Sequence, residues 1–174
     1  MAGSLIKIDE EIVTSAVASV TLTGIDSTYD VYMFKYENVQ SATVNKYMGL
    51  RFTESGTPNT SANYDRAGKV LKSNTTFSNN AGANGTFFYT HQNLFSTDSG
   101  QANNGTIYIF NANNASEYTF MTQENVGVGA SNLAWGNQGG GVFTVTSAVD
   151  GVHFYMEDTG NMDTGTFTLY GLKK

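Results

Sequence analysis

Thr28-Tyr29-Asp30-Val31-Tyr32-Met33-Phe34-Lys35-Tyr36 is the stretch that decides the fold. Extended, it places Tyr32, Phe34 and Tyr36 on one side and Val31 and Met33 on the other, so both faces are apolar. Such a strand belongs in the middle of a sheet that is covered on both sides. The chain's ending, Gly165 to Lys174, gives the same kind of signal. Phe167 and Leu169 share one face, Thr166, Thr168 and Tyr170 the other, and Gly171 breaks the run before Lys173-Lys174. The two stretches are expected to be neighbours at the heart of a β-sandwich, with Tyr32, Phe34, Phe167 and Leu169 in its core.

Outward from this pair the chain reads as short strands between turn signals. Ala16, Ala18, Val20 and Leu22 alternate with Val17, Ser19, Thr21 and Thr23, the pattern of a half-buried strand that Gly24-Ile25-Asp26-Ser27 ends. Met48, Leu50 and Phe52 alternate in the same way before a turn at Gly56-Thr57-Pro58-Asn59. Asn63-Tyr64-Asp65 and Lys69-Val70-Leu71 fit short strands. Further strands are expected at Thr86 to His91, Thr106 to Phe110, Glu117 to Thr122, Val142 to Val145 and Val152 to Met156. From Ser73 to Gly85 the residues are mostly Asn, Thr, Ser, Gly and Ala, so an exposed loop is expected there. About ten strands with little helix describe an all-β, antiparallel β-sandwich. A jelly-roll-like path fits first; an immunoglobulin-like sandwich, which lacks its cysteine pair here, fits second.

Hydrophobic residues make up 40 % of the chain and aromatics 13 %, whereas 14 % are charged against roughly 25 % in an average domain. Asn, Ser, Thr and Gly must therefore cover the surface, which suits long polar loops or a surface that meets other protein copies. The net charge of −6, with nine scattered Lys and Arg, argues against nucleic-acid binding. The absence of cysteine removes disulfides, thiolate nucleophiles and Cys-based metal sites. No basic, apolar leader opens the sequence and no apolar run approaches about twenty residues, so synthesis in a cytoplasm and no membrane span are expected. Residues 1–15 are expected to form an N-terminal arm or first strand, and residues 16–174 a single sandwich domain.

Few residues suggest chemistry. His91 and His153 lie in strand-like runs, where hydrogen-bonded core or interface histidines are the plain reading, and no zinc-ligand spacing accompanies them. Glu157, Asp158 and Asp163 form the local carboxylate cluster; they are a calcium candidate without EF-hand spacing, set against a solvated hairpin loop. There is no Gly-x-Ser-x-Gly elbow, and no catalytic residue or cofactor is proposed. Trp135, the single Trp, stands among glycines in Val126 to Gly141. It is read as a loop residue that stacks on a sugar ring, plugs one end of the sandwich, or packs in a subunit interface.

Asp26-Ser27-Thr28-Tyr29-Asp30-Val31-Tyr32-Met33, with Leu50-Arg51-Phe52-Thr53-Glu54-Ser55-Gly56 and Asn63-Tyr64, forms one distinctive set; Gly165-Thr166-Phe167-Thr168-Leu169-Tyr170-Gly171-Leu172-Lys173 forms another. Both resemble small virion structural proteins of tailed bacteriophages, notably phages of marine bacteria. The similarity is specific in these stretches and extends in layout over nearly the whole chain. It implies a jelly-roll-like sandwich displayed on a virus particle, assembled in the host cytoplasm, and usually homo-oligomeric. It carries no catalytic motif. Three functions follow as expectations. The first is a capsid decoration or cement protein bound to the major capsid protein, with a homotrimer as the preferred state. The second is a tail-appendage or head-fibre knob that binds host-surface glycans, and the third a depolymerase. The absence of heptads or repeats, which a long stalk would need, favours the first.

Overall fold

The computed structural model describes residues 4–75, 77–98 and 100–173, the side chains of residues 91–94 and 173 excepted. Among the described residues there are thirteen strands, in two sheets, and no helix. The larger sheet runs in the order β1 (Ser4–Val13), β13 (Met162–Lys173), β3 (Val31–Ser41), β9 (Asn103–Phe110), β10 (Thr119–Val128), β11 (Ala134–Phe143), β6 (Tyr64–Lys72), β7 (Phe77–Gly85). The smaller sheet runs β2 (Ser19–Thr23), β12 (Gly151–Met156), β4 (Lys46–Glu54), β5 (Thr57–Pro58), and β8 (Phe88–Phe95) also pairs with β4. Every pairing is antiparallel. The chain crosses between the sheets eight times, including on either side of β2, β8 and β12, which ties the two layers of the sandwich together.

β3 and β13 are neighbours: Phe34 lies opposite Leu169 and Tyr36 opposite Phe167, while β9 flanks β3 on its other side with Ile107 opposite Phe34. Tyr32, Phe34, Phe167 and Leu169 are all buried. Across the sandwich Phe154 of β12 meets Phe34 edge-on at 6.1 Å, and it lies 5.2 Å from Phe167. A second cluster joins Phe52 of β4, Tyr64 of β6, Phe88 of β8 and Phe143 of β11, with ring centroids 4.8–6.4 Å apart. Buried tyrosines need a partner for the hydroxyl. Tyr32 donates to the Asp26 carbonyl at 2.6 Å and Tyr64 to the Asn59 carbonyl at 2.9 Å, so each also pins a loop at the end of the sandwich.

Three expectations are corrected by this arrangement: the loop at Ser73 to Gly85, the loop placement of Trp135 and the strand start at Ala16. The tract from Ser73 to Gly85 is largely strand: β7 pairs with β6 from Leu71–Phe77 to Tyr64–Gly85. An edge strand needs backbone partners and not a buried face, so a run of Asn, Gly and Ala can form one without any apolar alternation. Trp135 belongs to strand β11, opposite Gly127 and Lys72, and not to a loop. Ala16 and Ala18 are exposed, and the strand containing the buried Val20 and Leu22 begins at Ser19. Residues 4–13 form β1, an edge of the larger sheet, paired with β13 along its length.

Candidate functional site

The side chains singled out by sequence are dispersed. Glu157 and Asp158 belong to the tight turn between β12 and β13. In it the Gly160 N–H donates to the Glu157 carbonyl at 3.1 Å, and Asp158 and Thr159 adopt φ of 50° and 60°. These two successive positive φ values reverse the chain tightly as it passes from the smaller sheet to the larger. Asp163 is exposed in the opening residues of β13. Among the described residues no three His, Asp or Glu side chains gather as a metal site, so the calcium candidates stand apart. Trp135 is half-buried beneath the Lys72 ammonium, 3.9 Å from its ring centroid, and its indole N–H donates to Ser131 Oγ at 3.4 Å. The His91 side chain lies outside the described residues. His153 Nδ1 lies 2.8 Å from Thr21 Oγ1, and the imidazole stacks on Tyr155 at 5.8 Å.

The last contact leads to a cluster of aromatic and charged side chains on the smaller sheet. Along β4, Met48, Leu50 and Phe52 point into the core, which turns Tyr47, Gly49 and Arg51 outward. On β12 the core residues Val152, Phe154 and Met156 likewise turn His153 and Tyr155 outward, with Glu157 next in line. Phe88 turns Phe87 and Tyr89 outward at β8. Pairing of β12 and β8 with β4 brings the three sets together on the outer face of the smaller sheet. An antiparallel sheet open to water normally carries polar residues there. Here Tyr47 meets Tyr89 at 5.4 Å, Phe87 meets Tyr89 at 4.7 Å, and Phe87 meets Tyr155 at 5.8 Å, all edge to face.

Gly49 makes this packing possible. A Cβ there would stand 2.9 Å from the Tyr155 ring and 3.0 Å from the Phe87 ring, so the missing side chain is the floor on which both rings lie. Two guanidinium groups cover the cluster. Arg51 lies over Tyr155, 4.4 Å from the centroid, and Arg66, reaching from β6, lies over Tyr89 at 4.6 Å. They are the only two arginines in the sequence. Arg51 Nε donates to the Thr86 carbonyl and Arg66 Nε to Asn80 Oδ1, each at 3.0 Å. Gly82 leaves room for the Arg66 guanidinium, which stands 2.9 Å from where its Cβ would be.

The electrostatics follow from this geometry. Burial, then the adjacent Arg51 charge, lowers the pKa of His153, so the imidazole is neutral at pH 7. Burial pushes the Tyr155 hydroxyl up to about 12. Burial, reinforced by Asp158, raises the Glu157 carboxyl above its ordinary value; Glu157 Oε1 accepts a 3.4 Å hydrogen bond from the Tyr89 hydroxyl. Neither arginine forms a salt bridge among the described residues, where the ion pairs are Lys7–Glu10 and Lys35–Glu37. The face thus combines half-buried rings with two fixed cations that form no close salt bridge among the described residues, although both favour the ionised form of the nearby Glu157 carboxylate. Comparison with protein-family models, curated proteins and solved structures finds no match.

Sequence reading missed this face because its members come from four separate segments. Each strand alone shows one or two outward aromatics, which is ordinary; the signal is the repetition of aromatic or Arg at outward positions of β4, β8 and β12 together. Chemically the face suits association. Tyr, Trp and Arg dominate the energetic centres of protein interfaces, where rigid rings exclude water around a few polar anchors. The outer face of the larger sheet has another character: a depression of about 510 Å³ lined by Thr106, Tyr108, Thr122, Glu124 and Gln138, with Phe120 exposed nearby.

Proposed function

We propose that this chain is a non-enzymatic structural protein displayed on a tailed-phage particle, a decoration or cement subunit that docks on other virion proteins such as the major capsid protein. The observation that carries the reading is the Tyr47, Phe87, Tyr89, Tyr155, Arg51 and Arg66 face, whose composition and half-burial are those of an assembly interface. The resemblance in Asp26 to Met33 and Gly165 to Lys173 supplies the setting. The low proportion of charge is consistent with a surface that works packed against other proteins. Closed cyclic symmetry would satisfy the remaining exposed apolar residues, and a homotrimer is the proposed state. The test is cosedimentation with particles of the encoding phage that lack this chain. Wild-type protein should pellet with them at saturable stoichiometry, and the Phe87→Ala/Tyr155→Ala double variant, folded by circular dichroism, should remain in the supernatant. Equal recovery of the two proteins would refute the docking face.

A specific observation favours a second reading, a knob that binds host-surface glycans. Tyr108 and Phe120 are 40 % and 45 % exposed, and the adjoining hydroxyl, amide and carboxylate groups are of the kind that hydrogen-bond sugars. Retention on host cells that Tyr108→Ala abolishes, with particle docking intact, would select this reading.

A further inference from the structure

We infer that the aromatic face of the smaller sheet is a receptor for carboxylates, and that its partner presents an acidic peptide segment. The inference rests on the reading of this face as a docking surface and names the chemistry that would dock there. Its basis is how the two arginines are held. Each guanidinium is fixed at two points, by its Nε hydrogen bond to Thr86 or Asn80 and by a tyrosine ring beneath it. Both anchors leave the terminal N–H groups uncommitted: among the described residues no Nη of either arginine donates to protein. A guanidinium so oriented offers its planar fork at little further entropic cost, and that fork matches a carboxylate with two parallel hydrogen bonds.

The charged and titratable neighbours are consistent with an anionic guest. His153 is neutral at pH 7; Glu157, the facing carboxylate, accepts from the Tyr89 hydroxyl and feels both guanidinium charges without closing a salt bridge to either, so a guest carboxylate shares the arginines with it. Lys46, at the margin, is engaged with the Asp158 carbonyl at 2.8 Å. The two forks are linked through Phe87, which touches both Tyr155 and Tyr89, so they belong to one surface. Peptide is favoured over acidic polysaccharide by the state of the rings. Sugar stacking needs a free ring face, yet one face of Tyr155 and one of Tyr89 are already under guanidinium, and the rings pack edge to face with one another.

The experiment uses the full chain and a fluorescein-labelled oligoglutamate, read by anisotropy at low and at physiological salt. Wild-type protein should bind, more weakly as salt rises. Arg51→Gln/Arg66→Gln should weaken binding about tenfold or more, the effect of losing charge-assisted forks. Lys69→Gln/Lys72→Gln, an equal change of net charge away from this face, should leave it unchanged. Arg51→Lys/Arg66→Lys, which keeps the charge and loses the fork, should also bind more weakly than wild type. No binding by wild type, equal losses in the two Gln doubles, or full binding by the Lys double would overturn the inference. So would binding of oligogalacturonate in preference to oligoglutamate, which would make the guest an acidic glycan. If oligoglutamate fails while Phe87→Ala/Tyr155→Ala still abolishes cosedimentation with particles, the docking face stands and its acidic partner falls.

Discussion

Phe34→Ala is the most informative perturbation of the sandwich itself. Phe34 is fully buried on β3, flanked in register by Leu169 and Ile107, and it meets Phe154 of the opposite sheet at 6.1 Å with planes 66° apart. Truncation removes about 1.5–3 kcal/mol of apolar transfer energy. It also loses an edge-to-face contact of about 0.5–1.5 kcal/mol. Strands on both sides and a ring above hinder collapse of the cavity, so the cost should fall at about 3–5 kcal/mol. For a chain of this size each kcal/mol moves the midpoint by about 2–4 °C, which places the variant roughly 6–20 °C below wild type. The matched control is Phe120→Ala, whose ring is 45 % exposed on the outer face of the larger sheet. It should cost less than about 1 kcal/mol, the usual scale for surface changes. Urea unfolding followed by fluorescence and by far-ultraviolet circular dichroism measures both. A Phe34→Ala loss below about 1 kcal/mol, or equal losses in the two variants, would refute the placement of β3 at the joint of the sheets.

Other outcomes follow from the same contacts. Gly49→Val should displace the Tyr155 and Phe87 rings that a Cβ would approach within 2.9 and 3.0 Å. It should cost about 1–3 kcal/mol and change the near-ultraviolet spectrum; an unchanged spectrum would contradict the packing of the face. His153 has its pKa lowered in the fold, so below the ordinary value of 6.5 the unfolded chain takes up a proton that the folded chain resists. Stability should therefore fall as pH drops through 6.5 toward the folded value, and His153→Gln should flatten the slope of melting temperature between pH 7 and 5.5; an identical slope in the variant would exclude His153 as its source. Glu157 acts in the opposite sense: its pKa is raised in the fold, so stability should rise as pH falls from the folded value to the ordinary value of 4.5, and gain nothing further below it. EDTA should leave the melting temperature unchanged, and a fall that calcium restores would return Glu157, Asp158 and Asp163 to a metal site. Light scattering after size exclusion should give a trimer; a monomer that persists in high salt would remove the oligomer.

The sequence disclosed those parts of the fold whose side chains alternate. β3 with two apolar faces and β13 with Phe167 and Leu169 were legible as neighbours because only a central position satisfies both. Met48, Leu50 and Phe52 likewise announced β4. β7 was not legible, because what it gives its partner β6 is backbone pairing and polar side chains, with Asn80 buried against Arg66 and Asn79 bonded to Lys69, and no apolar alternation. In β11 the glycines that look like loop are required by close neighbours: a Cβ at Gly141 would stand 2.4 Å from the Phe88 ring. The candidate face was hidden for a related reason. Tyr47, Phe87, Tyr89 and Tyr155 gain meaning only when β4, β8 and β12 are set side by side, and that adjacency is a property of topology.

The proposed role is a repeated decoration on the surface of a phage particle. Quantitative mass spectrometry of purified particles of the phage proposed to encode it, with the major capsid protein as internal standard, decides the matter. A decoration requires on the order of hundreds of copies per particle, in fixed ratio to the shell subunit, because it repeats at symmetry-related positions. A chain absent from purified particles would contradict it, and about a dozen copies would move the protein from the shell to an appendage.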